Sequence, residues 1–353
     1  MIVQDPLVDA RNGNIECRVC TRRCVIKDGG IGFCGIRKNV GGKVDLIVYG
    51  RPSALGIDPI EKKPQYHFLP GTGAYSLGTY GCTFMCKFCC NWELAQAIRN
   101  KLPMDVWHDL PPERVVSEAK LNGCSSIAYT YNEPAIWYEY HRDIGNIAKG
   151  EGLFSLLITD GYGTQEFWER ASSYVDAASI DFKGFNRKFY AEYTGAMLDP
   201  VIESVRKAKG LGIWVEATML VIEGKNDDDS DMRRAFEFLK GVDAGMPVHL
   251  IAFHPSYKMM DVPPTGAKRL EELRETAVGA GLDYVYVGNV PSKYESTFCP
   301  KCGEMLVKRD GFLVRLGESF EAESARCGRC GEIIPGIWTK GQAFAERKRR
   351  GMV

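Results

Sequence analysis

The sequence predicts an α/β protein with a largely parallel sheet and a small cysteine-rich, metal-binding module at each end. Two patterns point to this. From about residue 74 to 290, short apolar runs alternate with amphipathic stretches. Such strand–helix repetition implies parallel strands joined by helical crossovers. Outside that span, Cys17, Cys20, Cys24 and Cys34 cluster near the start, and Cys299, Cys302, Cys327 and Cys330 near the end. A chain of 353 residues has room for one large α/β barrel with small appendages, or for two ordinary domains.

Residues 1–65 read as an N-terminal metal-stapled module with little regular structure, punctuated by Gly29-Gly30, Gly32, Gly35 and Gly41-Gly42. Pro52, Pro59, Pro64 and Pro70 mark an irregular passage into a core over 66–290. Within the core the apolar runs predict strands over 74–80, 126–130, 154–159, 177–182, 213–221, 248–253 and 284–287. Helical periodicity falls between them, over 113–121, 137–149, 202–209, 232–239 and 268–280. Six or seven such units make either a doubly wound sheet or an open (β/α) barrel, and periodicity does not choose. Two C-x2-C pairs break the pattern over 291–340, and 341–353 reads as a solvated, frayed basic tail.

Composition bounds the function. Lys plus Arg equals Asp plus Glu at 45 each, for a net charge of zero, which argues against a protein that mainly holds nucleic acid through its phosphates. The start, Met1 to Pro6, lacks a basic segment followed by an apolar one, and no run approaches the roughly 20 apolar residues of a membrane span. A cytoplasmic location, with no membrane partner, is the expectation. In that reducing compartment disulfides are disfavoured, so the clustered ones among the 13 cysteines read as metal ligands. Cys124 reads as an ordinary core thiol, and Cys90 as a small residue that is either buried or supports the neighbouring ligand without binding metal itself.

Cys82, Cys86 and Cys89 form a C-x3-C-x2-C motif that supplies three thiolates and no fourth. A closed cubane takes four thiolates, so three leave one iron open for a substrate or cofactor. The motif resembles the cluster loop of the radical S-adenosylmethionine (SAM) superfamily, with Phe88 as the aromatic that faces adenine. The C-terminal C-x2-C-x24-C-x2-C has zinc-ribbon spacing, closes a tetrahedral site and predicts a structural role. Rubredoxin-like iron or an auxiliary cluster is the alternative there. The N-terminal C-x2-C-x3-C-x9-C fits zinc or a second 4Fe–4S cluster, with zinc slightly favoured.

Active groups of α/β barrels gather at the C-terminal ends of the strands. One strand ends Tyr131-Asn132-Glu133-Pro134, resembling the superfamily segment that holds the SAM amino group. Glu133 there could also be an ordinary first-turn residue. The next strands end Thr159-Asp160-Gly161 and Asp181-Phe182-Lys183. These resemble glycyl-radical activases, in which the counterpart of Lys183 faces the SAM carboxylate. Asp stands at 160 where activases carry Asn. Glu216 stands where activases carry Arg, and reads either as a SAM contact or as the partner of Lys183. His254, with Lys258 following, resembles a His near the adenosyl group; the plainer reading is a structural hydrogen-bonder.

Several longer segments narrow the resemblance. They include Cys17 to Cys24, Gly32-Phe33-Cys34, Pro59 to Pro64, Tyr66 to Gly71, Cys90-Asn91-Trp92-Glu93, Gly288-Asn289-Val290 and Ile334 to Trp338. Together they resemble the radical SAM enzyme of the AmmeMemoRadiSam system, with Cys90 replacing a common Gln. The resemblance implies an open partial (β/α)6-type radical SAM barrel, a 4Fe–4S cluster, SAM, and kinship with pyruvate formate-lyase activating enzyme. Memo-family and AMMECR-family proteins are implied partners, with a ferredoxin or flavodoxin as electron donor. Hydrogen abstraction from a protein, a peptide or a small metabolite is the implied chemistry. RNA modification and a non-catalytic metal-stapled scaffold are the rival readings. A further expectation is that the two metal modules form a lid over the barrel.

Overall fold

A computed structural model describes residues 1–3, 7–104 and 109–352. Val353, the last residue of the expected tail, lies outside them. The core is one eight-stranded open sheet, with strands in chain order from one edge to the other. In sequence these are β1 (Ala54–Pro59), β2 (Gly73–Gly78), β3 (Ser126–Tyr129), β4 (Phe154–Thr159), β5 (Ala177–Phe182), β6 (Trp214–Val221), β7 (Val248–Ala252) and β8 (Val285–Gly288). The seven from β2 to β8 pair in parallel, and β1 pairs antiparallel with β2 at the edge.

Between them run α1 (Pro112–Leu121), α2 (Tyr138–Gly150), α3 (Gln165–Ala171), α4 (Asp199–Gly210), α5 (Asp229–Val242) and α6 (Ala267–Gly279). Helix starts follow local chemistry. Thr164 caps α3 through Phe167 N, and Asp228 caps α5 through Ser230 N and Asp231 N. Strands β4 and β5 are buried almost throughout, as parallel strands covered on both faces must be.

Three expectations need correction. The N-terminal region is not irregular. Val8–Arg11, Asn14–Cys17 and Val25–Ile26 form one small antiparallel sheet, and Ile2–Val3, Arg37–Val40 and Lys43–Leu46 another. Its short strands turn at glycines, which break the sequence pattern without abolishing pairing. The main sheet then begins at Ala54, inside the passage read as irregular.

The basic tail is not frayed. It forms α7 (Lys340–Arg349), opened by a capping box of Thr339 and Gln342. Arg347 is 1% exposed and grips Asp176 with Nε and Nη2 at 2.6 and 2.7 Å. A buried carboxylate demands such a partner.

The C-terminal module is not a lid. Tyr66, Tyr284 and Tyr286 pack with Cys299, Leu306, Val307 and Trp338, while Phe68, Leu69 and Ile337 join Ala74, Ala128, Phe154 and Ala177. Ala74, Phe154 and Ala177 lie at the starts of their strands, so the module plugs the N-terminal end of the barrel. An open barrel leaves apolar side chains uncovered there, and burying them is favourable at about 25 cal/mol per Å².

Candidate functional site

The strand ends enclose a cavity of about 330 Å³ lined by Cys82, Cys86, Phe88 and Cys89 on one side. Thr130, Asp160, Lys183 and His254, just past the ends of β3, β4, β5 and β7, and Thr218 within β6 are among the residues that line the rest. The cysteine loop leaves β2, and its shape is held by backbone contacts. Met85 N donates to Thr194 O at 2.8 Å and Lys87 N to Tyr193 O at 2.9 Å. Two guanidinium groups clamp its carbonyls: Arg22 reaches Thr83 O, and Arg99 reaches both Cys82 O and Phe84 O. Cys82 and Cys86 are buried and Cys89 half-buried.

Glu133 is fully buried and bonded to Thr159 and Asp160, which line the cavity. Its carboxylate accepts from Ala135 N at 3.0 Å, Thr159 Oγ1 at 2.8 Å and Asp160 N at 2.7 Å. Burial, then the nearby Asp160 carboxylate, pushes its pKa up to about 8 despite those donors. Lys183 Nζ lies 2.8 Å from Asp181 Oδ2 and 3.2 Å from Asp160 Oδ1. Burial works against its charge, but the two carboxylates prevail and hold it firmly cationic. Asp160 also accepts from the Cys82 thiol at 3.6 Å, so it ties the cysteine loop to Lys183. Phe88 is buried and stacks on Phe189, centroids 6.1 Å apart. His254 sits exposed at the rim, Nε2 3.0 Å from Asn289 O, while the Lys258 ammonium lies over the Tyr257 ring.

Three site expectations change. The Asn132 side chain is saturated within the protein. Its Oδ1 accepts from Thr79 N and Trp137 Nε1, and its Nδ2 donates to Thr79 Oγ1 and Gly81 O. An amide with every site filled fastens β3 to the start of the cysteine loop, while the residue itself still lines the cavity.

Glu216 meets neither Lys183 nor the cavity. It accepts from Tyr66 N, His67 N and Trp214 Nε1, and lies 2.7 Å from His249 Nε2. It shares a strand face with Thr218 and Leu220, which line the cavity, but stands nearer the N-terminal end, where the plug covers it. Cys90 is exposed and lines the cavity rather than being buried, because the cysteine loop ends in a turn. Reading the sequence gave no role to Arg22 or Arg99, and it named Thr159 in the strand-end motif without foreseeing its bond to Glu133.

The outer cysteine groups differ in spacing. Cys299, Cys302, Cys327 and Cys330 place all four sulfurs within 4.8 Å of one another, with Cys299–Cys330 at 3.5 Å and Cys302–Cys327 at 3.7 Å. Four thiolates about 2.3 Å from one zinc ion stand about 3.8 Å apart, so this donor set fits zinc. Cys17, Cys20, Cys24 and Cys34 line one enclosed pocket beside Arg37. Among the described residues, the C-terminal four are the one group of three or more ligand atoms packed within 4.8 Å.

An open parallel barrel with a three-thiol loop facing a buried carboxylate and a lysine defines a site class, and comparison with known proteins agrees. Residues 76–236 match the Radical SAM superfamily, so the chain contains a domain of that superfamily. Over 325 residues the chain is 41% identical to an uncharacterized protein of Methanocaldococcus jannaschii, covering 92% of this chain and 96% of that one. It is 22% identical over 235 residues to the pyruvate formate-lyase-activating enzyme of Staphylococcus aureus, covering 62% of this chain and 90% of the enzyme. Among solved structures, a radical SAM methyltransferase from Sphaerobacter thermophilus aligns at 17% identity with a TM-score of 0.49, covering 67% of this chain and 71% of that one. The family implies a 4Fe–4S cluster and SAM. Three thiols on one loop at the mouth of a cavity are the donor set that such a cluster needs.

Proposed function

We propose that this chain is the radical SAM enzyme of the AmmeMemoRadiSam system and acts on a protein or peptide. The carrying observation is the convergence, in one cavity, of Cys82, Cys86 and Cys89 with Lys183 and Asp160, over the buried Glu133. When bound, a 4Fe–4S cluster held by Cys82, Cys86 and Cys89 would supply the single electron for reductive cleavage of SAM, and with it the means to take hydrogen from a substrate.

The chain's own residues do the rest. Cys82, Cys86 and Cys89 hold the cluster. Glu133 and Asp160 receive the SAM amino group and ribose, and Lys183 receives its carboxylate as a compact cation. Phe88 offers an apolar face to the adenine, and His254 closes the rim. Arg22 and Arg99 keep the loop carbonyls turned outward, which fixes where the thiolates stand. The plug at the opposite barrel end keeps water from entering behind the site.

Similarity to an activating enzyme supports a protein substrate. The RNA reading has lost a support, since the basic tail is folded against the barrel with Arg350 donating to Ser172 O and Val175 O. Zinc is the proposed occupant of the C-terminal four cysteines, with a role in folding. A ferredoxin or flavodoxin in the reducing cytoplasm is the proposed donor, and Memo-family and AMMECR-family proteins the proposed partners.

The test is SAM cleavage by anaerobically reconstituted, dithionite-reduced protein, read by chromatography. The expected result is 5′-deoxyadenosine and methionine from the wild type and neither from Cys86→Ala. A wild type that carries a cluster, binds SAM and still yields no product with any candidate partner present would sink the reading.

A further inference from the structure

The N-terminal cysteines form a second constellation that the proposed chemistry does not use. Cys17, Cys20 and Cys34 are buried, and Cys24 is half-buried. All four line a pocket walled by Ile26 and Ile136. Arg37 lines it too, 2% exposed, with its Nη atoms bound to the Glu139 carboxylate at 2.6 and 2.7 Å. Its Nε is buried without a hydrogen-bond partner. A buried donor left unmatched costs about 1–3 kcal/mol, so the pocket is built for an anionic occupant that accepts from it.

Spacing then separates the two metals that fit four thiolates. One zinc ion draws its sulfurs within about 3.8 Å of each other, as in the C-terminal four. A cubane gives each thiolate its own iron at a separate corner, so the sulfurs stand wider. Among the described residues, neither the N-terminal set nor the Cys82 loop shows the tight single-ion packing.

The two loops also touch. Gly81 adopts φ +87°, and a Cβ there would lie 2.3 Å from Cys34 O. Only a glycine lets that carbonyl approach the residue preceding Cys82. Arg99 bridges the same contact, donating to Phe33 O at 3.0 Å and Cys82 O at 2.9 Å.

We infer that Cys17, Cys20, Cys24 and Cys34 hold a closed 4Fe–4S cluster, a one-electron neighbour of the open cluster on the Cys82 loop. Its four thiolates leave no iron free for SAM, and Arg37 Nε donates to the cluster's sulfur. An electron passing between the two oxidises one by a single unit and reduces the other by the same. The external source is a low-potential donor of the iron–sulfur or flavin class. The exchange rests on the proposed reading of the Cys82 loop, whereas the identity of the N-terminal cluster does not.

The test uses the full-length chain with Cys82→Ala, Cys86→Ala and Cys89→Ala together, reconstituted anaerobically with iron and sulfide. The expected product keeps about four irons and four sulfides per chain. Its reduced state gives an electron paramagnetic resonance signal that SAM does not change. Zinc in place of iron, or a signal that shifts with SAM, overturns the proposal. Should that variant misfold, Cys17→Ser with Cys34→Ser in the otherwise intact chain serves instead. It is expected to lose about half the iron while the SAM-dependent signal of the remaining cluster persists, and full iron retention overturns the proposal. In the doubly reduced wild type the two signals are expected to broaden each other; a simple sum of isolated spectra overturns the adjacency. A wild-type signal insensitive to SAM would instead sink the reading of the Cys82 loop and leave the N-terminal cluster standing.

Discussion

Glu133 shows at the scale of one residue how burial sets a site's charge. Its pKa of about 8 leaves the empty site protonated near pH 7, although three donors already face the carboxylate. An arriving ammonium favours the ionised form, so SAM binding near pH 7 is expected to release a proton. Calorimetry in buffers of different ionisation enthalpy reads this directly. Heats should vary with buffer for the wild type and not for Glu133→Gln, and the variation should fade above pH 8. A wild-type heat indifferent to buffer would remove Glu133 from the SAM site. Lys183→Met is expected to weaken SAM binding about 10- to 100-fold, the range for one lost charge-assisted hydrogen bond. An unchanged Kd would show that Lys183 serves only Asp160 and Asp181. Glu133 and Lys183 stood out in the sequence because each follows an apolar strand. Asn132 stood in the same motif, and nothing in its neighbours in the chain told that Thr79, Gly81 and Trp137 would use all of its amide.

At the scale of elements, strands β2 to β8 were legible within a residue or two, because buried parallel strands are written as nearly continuous apolar runs. Strand β1 was not, since Gly56 and Pro59 read as loop and only the edge position tolerates them. The contact between the two cysteine loops was likewise invisible, because residues 34 and 81 meet through backbone. Gly81→Ala tests that contact. The added methyl meets Cys34 O in a left-handed conformation, so a loss above about 1 kcal/mol is expected. Chemical denaturation measures it, and iron retention after reconstitution should fall in parallel. An alanine variant with wild-type stability and iron content would show that the loops do not need their close approach.

The whole molecule is held by contacts that join distant parts of the chain. Arg347 in the last helix and Asp176 beside β5 form a buried ion pair. Removing the arginine leaves an unpaired buried carboxylate, so Arg347→Ala is expected to cost about 3–5 kcal/mol. Thermal or urea unfolding checks this, and a change below about 1 kcal/mol would mean the pair is effectively solvated.

Buried neutral histidines set a pH limit as well. Burial lowers His67 to about 4 and His141 to about 3, against an ordinary 6.5. Below 6.5 the unfolded chain takes up protons that the folded chain refuses, so stability falls with pH from about 6.5 towards 4. His67 faces Tyr286 and Pro335, with Glu216, His249 and Arg309 as the charged or titratable groups nearby. His67→Gln should flatten that slope, and an unchanged slope would place the acid sensitivity elsewhere.

By itself the sequence determined the alternating, largely parallel α/β core, the three-thiol loop, the strand ends that carry Glu133, Asp160 and Lys183, and a four-cysteine group at each end. These are local properties: periodicity follows from which face is buried, and ligand spacing from the reach of a few residues of backbone. Only the tertiary structure decided that the C-terminal module plugs the barrel instead of covering the site, and that Glu216 belongs to the plug. It also decided that the basic tail is a buried anchor, and that one cysteine group packs tightly while the other does not. Each of those depends on which distant segments share a cavity, and a single charge or thiol carries the same symbol whether it faces a ligand, a partner or water.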